Sequence, residues 1–147
     1  MRKFVFDLEK LLEIRGYAEK EKLLELAEVT GRYMQIVNSI EDFEKKKEGI
    51  MGLRFSGSKV DVYSIMFDQS RISAIERKIS AFRKKLIPIN KEKEEKRLKY
   101  LEALKNKKVI EKLKEKEAYE HKRKELLREA KEIDDIVSSN FDIIQEV

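Results

Sequence analysis

The sequence predicts an all-α fold, an elongated antiparallel two-helix coiled-coil hairpin with the second helix the longer. Three observations carry this. Of 147 residues, 43% are charged and 41% apolar, the mixture of a long solvated helix rather than of a compact sheet. The chain has one Pro and five Gly, so little interrupts a helix. Apolar residues recur at steps of three and four over stretches much longer than an ordinary globular helix.

The first helix is expected over about residues 4–50. Leu23, Leu26, Thr30, Tyr33, Val37, Ile40, Glu44, Lys47 and Met51 follow one line of threes and fours. Val29, Ile36, Phe43 and Ile50 repeat every seven residues beside it, and together they form a wide apolar stripe. Gly16 and Gly31 interrupt it at about 1 kcal/mol each against Ala. Such a cost suggests places where another chain comes close.

The turn is expected over about residues 51–58. Gly49, Gly52 and Gly57 cluster here, and glycine tolerates the backbone of helix ends. Ser58 followed by Asp61 resembles a capping box. Arg54, Phe55, Tyr63 and Phe67 surround the turn and either cover it or offer an apolar tip.

The second helix is expected over about residues 59–140, with a short acidic tail at 141–147. Ile65, Ile72, Ile75, Ile79, Phe82 and Leu86 give its first stripe. Pro88 removes a backbone donor and predicts a kink or short interruption. Beyond it, Val109, Lys112, Lys116, Tyr119, Arg123, Leu126, Ala130, Ile133 and Val137 read as a continuing seam, thinned by three basic residues.

At about 1.5 Å per residue the two helices are about 70 and 120 Å long. Paired outward from the turn, the first ends near residue 106. The last 30-odd residues of the second, by this arithmetic, lack a partner inside the chain, and an unpaired amphipathic helix is marginal in water. The overhang therefore predicts a binding partner, self-association with a second copy, or fraying.

Charge is unevenly distributed. Residues 1–75 are neutral, 76–132 carry 21 basic and 12 acidic side chains, and 133–147 carry four acids and no base. The basic stretch suggests acidic partners. The chain has no Cys and a single His, His121, which excludes disulfides, thiolate metal sites and a metal site built from several histidines of one chain. His121 reads as an exposed helix residue. Asp134 and Asp135 are adjacent on a helix and diverge by about 100°, so they do not share a ligand. No apolar run approaches the roughly 20 residues of a membrane span, and Met1–Asp7 lacks the apolar core of a secretory signal. With no glycine-rich phosphate loop either, no catalytic, cofactor or metal residues are assigned and an enzyme is not expected.

Several segments carry a resemblance. The opening Phe4-Val5-Phe6-Asp7-Leu8-Glu9-Lys10-Leu11-Leu12-Glu13-Ile14-Arg15, the Gly/Ser break with its Ile-rich helix, the basic run Lys107–Lys116, and Glu132-Ile133-Asp134-Asp135-Ile136 with Phe141 occur in one order. In order, spacing and length they resemble the flagellar export protein FliJ family. Asp135 stands where the family has Glu, and Ser138-Ser139 where basic residues are common.

The resemblance implies a non-enzymatic, antiparallel coiled coil similar to the gamma-subunit stalk of rotary ATPases. It implies binding to the hexameric flagellar export ATPase, to the FlhA-like export gate protein and to export chaperones. It also implies a cytoplasmic place, peripheral at the inner membrane beneath the flagellum and held there through partners. Partner-binding candidates on this reading are Phe4, Phe6, Leu8, Leu12, Lys108, Lys112, Leu126, Ile133, Asp134 and Asp135. The alternatives are a generic or injectisome-type coiled-coil stalk, and a basic nucleic-acid-binding hairpin. The last is disfavoured because Glu is interleaved with the bases and aromatics suited to stacking, Tyr100 and Tyr119, are sparse there.

Overall fold

The computed structural model describes residues 2–56 and 61–145. Two long helices packed against each other make up nearly all of it: α1 spans Glu9–Ser56 and α2 spans Val62–Gln145. No strand occurs among the described residues.

α1 starts later than the apolar pattern suggests, because residues 2–6 belong to no helix or strand and Asp7-Leu8 form a turn. The Glu9 amide donates to the Phe6 carbonyl at 3.2 Å and Leu12 N–H donates to Leu8 O at 2.9 Å, closing the first helical turn. Glu9 lies in that turn, where a negative charge meets the positive end of the helix dipole.

At its other end α1 runs through Gly49 and Gly52 to Ser56. Both glycines have ordinary helical backbone, with no positive φ. The chain therefore turns later than the glycine cluster suggests. Ser58 lies outside the described residues. The cap of α2 is Asp61, whose Oδ1 accepts from Tyr63 N–H at 3.4 Å while its carbonyl accepts from Ile65 N–H at 3.0 Å. α2 then continues without interruption through Pro88, which is exposed on its surface.

The chain divides into two compact units, Lys20–Leu101 and a second made of the residues up to Glu19 with those from Glu102 onward. In the Lys20–Leu101 unit, Val29, Ile40 and Ile50 of α1 and Ile72 and Ile79 of α2 are buried. These are stripe positions of the sequence, with Val29 and Ile50 three heptads apart, Ile72 and Ile79 one heptad apart, and Ile40 on the neighbouring line of threes and fours. Phe43 and Phe82 stack with ring centroids 5.8 Å apart. The Nζ atoms of Lys46 and Lys78 lie 5.2 and 5.4 Å from the Phe43 ring, and Lys93 lies 4.2 Å from the Tyr33 ring.

Ion pairs line the edges of this unit and record the antiparallel register. Glu25 pairs with Lys96 at 3.2 Å, Arg32 with Glu92 at 2.9 Å, Glu44 with Arg83 at 3.0 Å, and Lys47 with Glu76 at 3.0 Å. Residue numbers rise along one helix as they fall along the other. Each pair is exposed enough to contribute little alone, about 0–1 kcal/mol, so burial of the Ile/Val stripe holds the unit.

Candidate partner interface

The unit built from the N-terminal residues and the later part of α2 contains every partner-binding candidate, and it sorts them into two faces.

The inner face of α2 follows Lys107, Ile110, Lys114, Glu117, His121, Glu125 and Arg128, again at steps of three and four. Ile110 is buried, Lys107 Nζ lies 3.8 Å from the buried Glu19 carboxylate, and Lys114 Nζ lies 2.7 Å from Glu9. A buried carboxylate is tolerated when a cation is held beside it.

Before the start of α1, residues 2–6 and the Asp7-Leu8 turn continue along this face as a strap. Phe6 is 6% exposed. The Phe4 ring lies 5.5 Å from the His121 ring, tilted by 47°, and His121 Nε2 is 3.0 Å from the Arg2 carbonyl. With Nε2 carrying the proton, the imidazole donates to that carbonyl. His121 is therefore half-buried rather than exposed, and the apolar start of the chain is spent on its own helix. One turn further, Glu125 is buried and accepts from Arg128 Nη2 at 2.8 Å. Arg128 Nε is buried without a hydrogen-bond acceptor, with the Glu132 carboxylate 3.8 Å away.

The expected seam Val109-Lys112-Lys116-Tyr119-Arg123-Leu126 is on the opposite, outer face. The reason is helical phase. Leu126 follows the buried Glu125 by one residue and so points about 100° away from it. The basic residues that thinned the expected seam are therefore solvated. Lys105, Lys108, Lys112, Lys116, Lys122 and Arg123 are all exposed, and none has an ion pair within the described residues. Exposed Val109, Tyr119, Leu126 and Leu127 lie among them. Tyr119, Lys122, Arg123, Leu126 and Leu127 together line a shallow, mostly apolar groove of about 410 Å³.

From Ala130 to Gln145 every residue of α2 is exposed. The unpartnered stretch is shorter than the length arithmetic gives, for two reasons: the turn comes later, and the strap reaches α2 at His121. It keeps an apolar stripe, with Leu126 50% and Ile133 60% exposed and Val137, Phe141 and Ile144 continuing the line. Asp134 and Asp135 are exposed beside it.

The candidates thus separate. Phe4 and Phe6 face inward, and Leu12 is half-buried in α1. Leu8 is at the margin of exposure. Lys108, Lys112, Leu126, Ile133, Asp134 and Asp135 face solvent. Sequence reasoning missed Glu19 with Lys107, and Glu125 with Arg128. An acid–base pair on an inner line looks, in the sequence, like any other Glu/Lys pair. Among the described residues no group of three or more His, Asp or Glu side chains is placed to hold a metal ion. No helix among them is long and apolar enough to cross a membrane.

Neither a comparison with curated proteins nor one with solved structures finds a match. A comparison with protein-family models matches residues 4–142 to the family described as flagellar FliJ protein. The match takes in the strap, both helices and most of the exposed end of α2, and the chain belongs to the FliJ family, a component of the flagellar protein export apparatus.

Proposed function

We propose that this chain is a non-enzymatic stalk and adaptor of the flagellar type III export machinery, working as one coiled-coil module. Its main partner is the export ATPase ring, and it links that ring to the export gate protein and to export chaperones. Its place is the cytoplasmic face of the inner membrane at the flagellar base, held through these partners.

The observation that carries this reading is the outer face of α2 from Lys105 to Ile144. It presents unpaired cations followed by an exposed apolar stripe with acidic neighbours, on a helix whose opposite side is already packed as far as Glu125. Cations on flexible stems make exchangeable contacts with acidic loops of a ring, while the apolar stripe supplies the anchor. Phe4 and Phe6 act as positioning residues, since they hold the strap on α2, and Lys108, Lys112, Leu126, Ile133, Asp134 and Asp135 make the contacts. Val62, Tyr63, Met66 and Phe67, exposed at the start of α2, form a separate apolar surface suited to the gate protein or a chaperone.

The test is the hydrolysis rate of the cognate export ATPase with and without the full chain, beside a pull-down. Stimulated hydrolysis with co-purification supports the stalk. Absence of both binding and stimulation refutes it.

A further inference from the structure

One side of α2 is nearly free of acids from Lys105 to Ile144. At about 100° per residue, the side centred on Tyr119 and reaching about 60° either way takes in Lys105, Lys108, Lys112, Lys116, Lys122 and Arg123. All six are exposed, and none pairs with an acid among the described residues. Glu115 is the one acid among them. The inner lysines of the same stretch differ, since Lys107 and Lys114 each have a carboxylate of α1 beside them. For about five more turns the Tyr119 side continues as the exposed Leu126, Ile133, Val137, Phe141 and Ile144, with Asp134 at its edge. Glu132, Asp135 and Asp142 fall on the far side of the helix by the same count.

We infer that this side of α2 lies directly on the surface of an anionic lipid bilayer. The cationic half rests on the lipid phosphates, and the apolar half sinks among the upper acyl chains. Charge selects this occupant. A row of unpaired cations running into an apolar line on one side of a helix calls for a surface that is anionic outside and apolar just beneath. The far-side acids then face water, away from the lipid charge. The face is convex, and the start of α1 and the strap pack on the other side of α2. A flat, deformable surface therefore meets it along about 60 Å without moving the strap. A nucleic acid would match the cations but leave Leu126–Ile144 without an apolar partner. The helix lies on the bilayer and does not span it, since no helix among the described residues is long and apolar enough to cross.

This contact does not rest on the stalk reading. It uses the same side of α2, so lipid and an export ATPase exclude one another on one copy. Binding falls with salt through the cationic half, while the apolar half sets a floor.

The experiment is flotation of the full chain with vesicles of phosphatidylglycerol and phosphatidylcholine, and with phosphatidylcholine alone. No ATPase is present, so failure here leaves the stalk reading standing. The wild type is expected to float with the anionic vesicles and at least tenfold less with the neutral ones. Lys108→Glu with Lys112→Glu and Lys116→Glu should weaken binding at least tenfold. The control is Lys45→Glu with Lys84→Glu and Lys91→Glu, which has the same net charge and should bind like the wild type. Circular dichroism checks that the helices persist in each. Because the chain has no Trp, orientation is read from Val137→Trp and Asp135→Trp chains with brominated lipid. Val137→Trp is expected to be quenched, and Asp135→Trp is not. The proposal is overturned by a wild type that stays with the unbound fraction, by a control as weak as the row variant, or by equal quenching of the two tryptophans. Binding to polyglutamate but not to anionic vesicles would also overturn it, assigning the row to an acidic protein.

Discussion

Phe4 lies against His121 across most of the sequence, their ring centroids 5.5 Å apart, and this contact ties the first residues of the chain to α2. Three groups hold the strap: the Phe4 ring, the buried Phe6 and the Arg2 carbonyl at His121 Nε2. Phe6 is the apolar anchor among them. Phe6→Ala is expected to destabilise the unit that contains it by about 3 kcal/mol. Hydrogen exchange should speed up around Ile110–Glu125 and stay unchanged near Val29 and Ile72. Uniform acceleration throughout the chain would show that the strap is not a local device.

Gly31 sits within α1 with ordinary helical backbone, and a Cβ added there would meet nothing within 4 Å. Gly16 has the same open surroundings. The sequence suggested that such glycines mark close approach of another chain, and among the described residues nothing approaches within 4 Å. Gly31→Ala is expected to raise stability by up to about 1 kcal/mol through helix propensity. A urea titration with a higher midpoint and an unchanged slope would show it. If the variant is more stable yet binds the export ATPase worse, the close approach belongs to that partner.

Much of the fold was legible in the sequence because one physical signal dominates it. The Val29, Ile36, Phe43 and Ile50 heptads and the Ile72–Leu86 stripe are so regular that the hairpin follows from them. That signal weakens beyond Leu98, where inner positions are filled by Lys107, Lys114, Glu117 and Glu125. Their aliphatic stems pack inward while outer positions carry Val109, Tyr119 and Leu126. Hydropathy alone then selects the wrong face. The strap was legible only in part: Phe4 and Phe6 stand out as apolar, but non-helical docking onto α2 leaves no periodic trace. The acidic, exposed end at Asp134 and Asp135 was plain from composition.

Glu25 gives the Lys20–Leu101 unit a pH dependence with a definite sign. Its carboxylate accepts from Lys96 Nζ at 3.2 Å, with Lys22 Nζ at 3.6 Å. The hydrogen bond from Lys96 holds its pKa below the usual carboxylate range, a partial desolvation opposes it, and the charges of Lys22 and Lys96 reinforce it. The unfolded chain therefore takes up this proton at a higher pH than the folded one. The contribution is present above the ordinary carboxylate range and is lost as pH falls through that range to the lower folded value. Glu25→Gln should flatten the fall in melting temperature on acidification and leave little difference in shape near neutrality. The effect is small because the pair is solvated. Parallel melting curves for wild type and variant across that window would show that the pair contributes nothing.

Leu126 and Ile133 are exposed on the outer face of α2, so truncating them removes surface and leaves no cavity. The Leu126→Ala, Ile133→Ala double variant is expected to keep its helix content and the melting transition of the Lys20–Leu101 unit. It should lose at least tenfold in affinity for the export ATPase, since central apolar anchors cost about 1–2 kcal/mol or more each at an interface. The control is Tyr63→Ala with Phe67→Ala at the start of α2, which should leave ATPase affinity unchanged. If the control weakens the ATPase and the Leu126/Ile133 variant does not, the ATPase contact has been assigned to the wrong surface. It would then belong to the apolar patch of Val62, Tyr63, Met66 and Phe67.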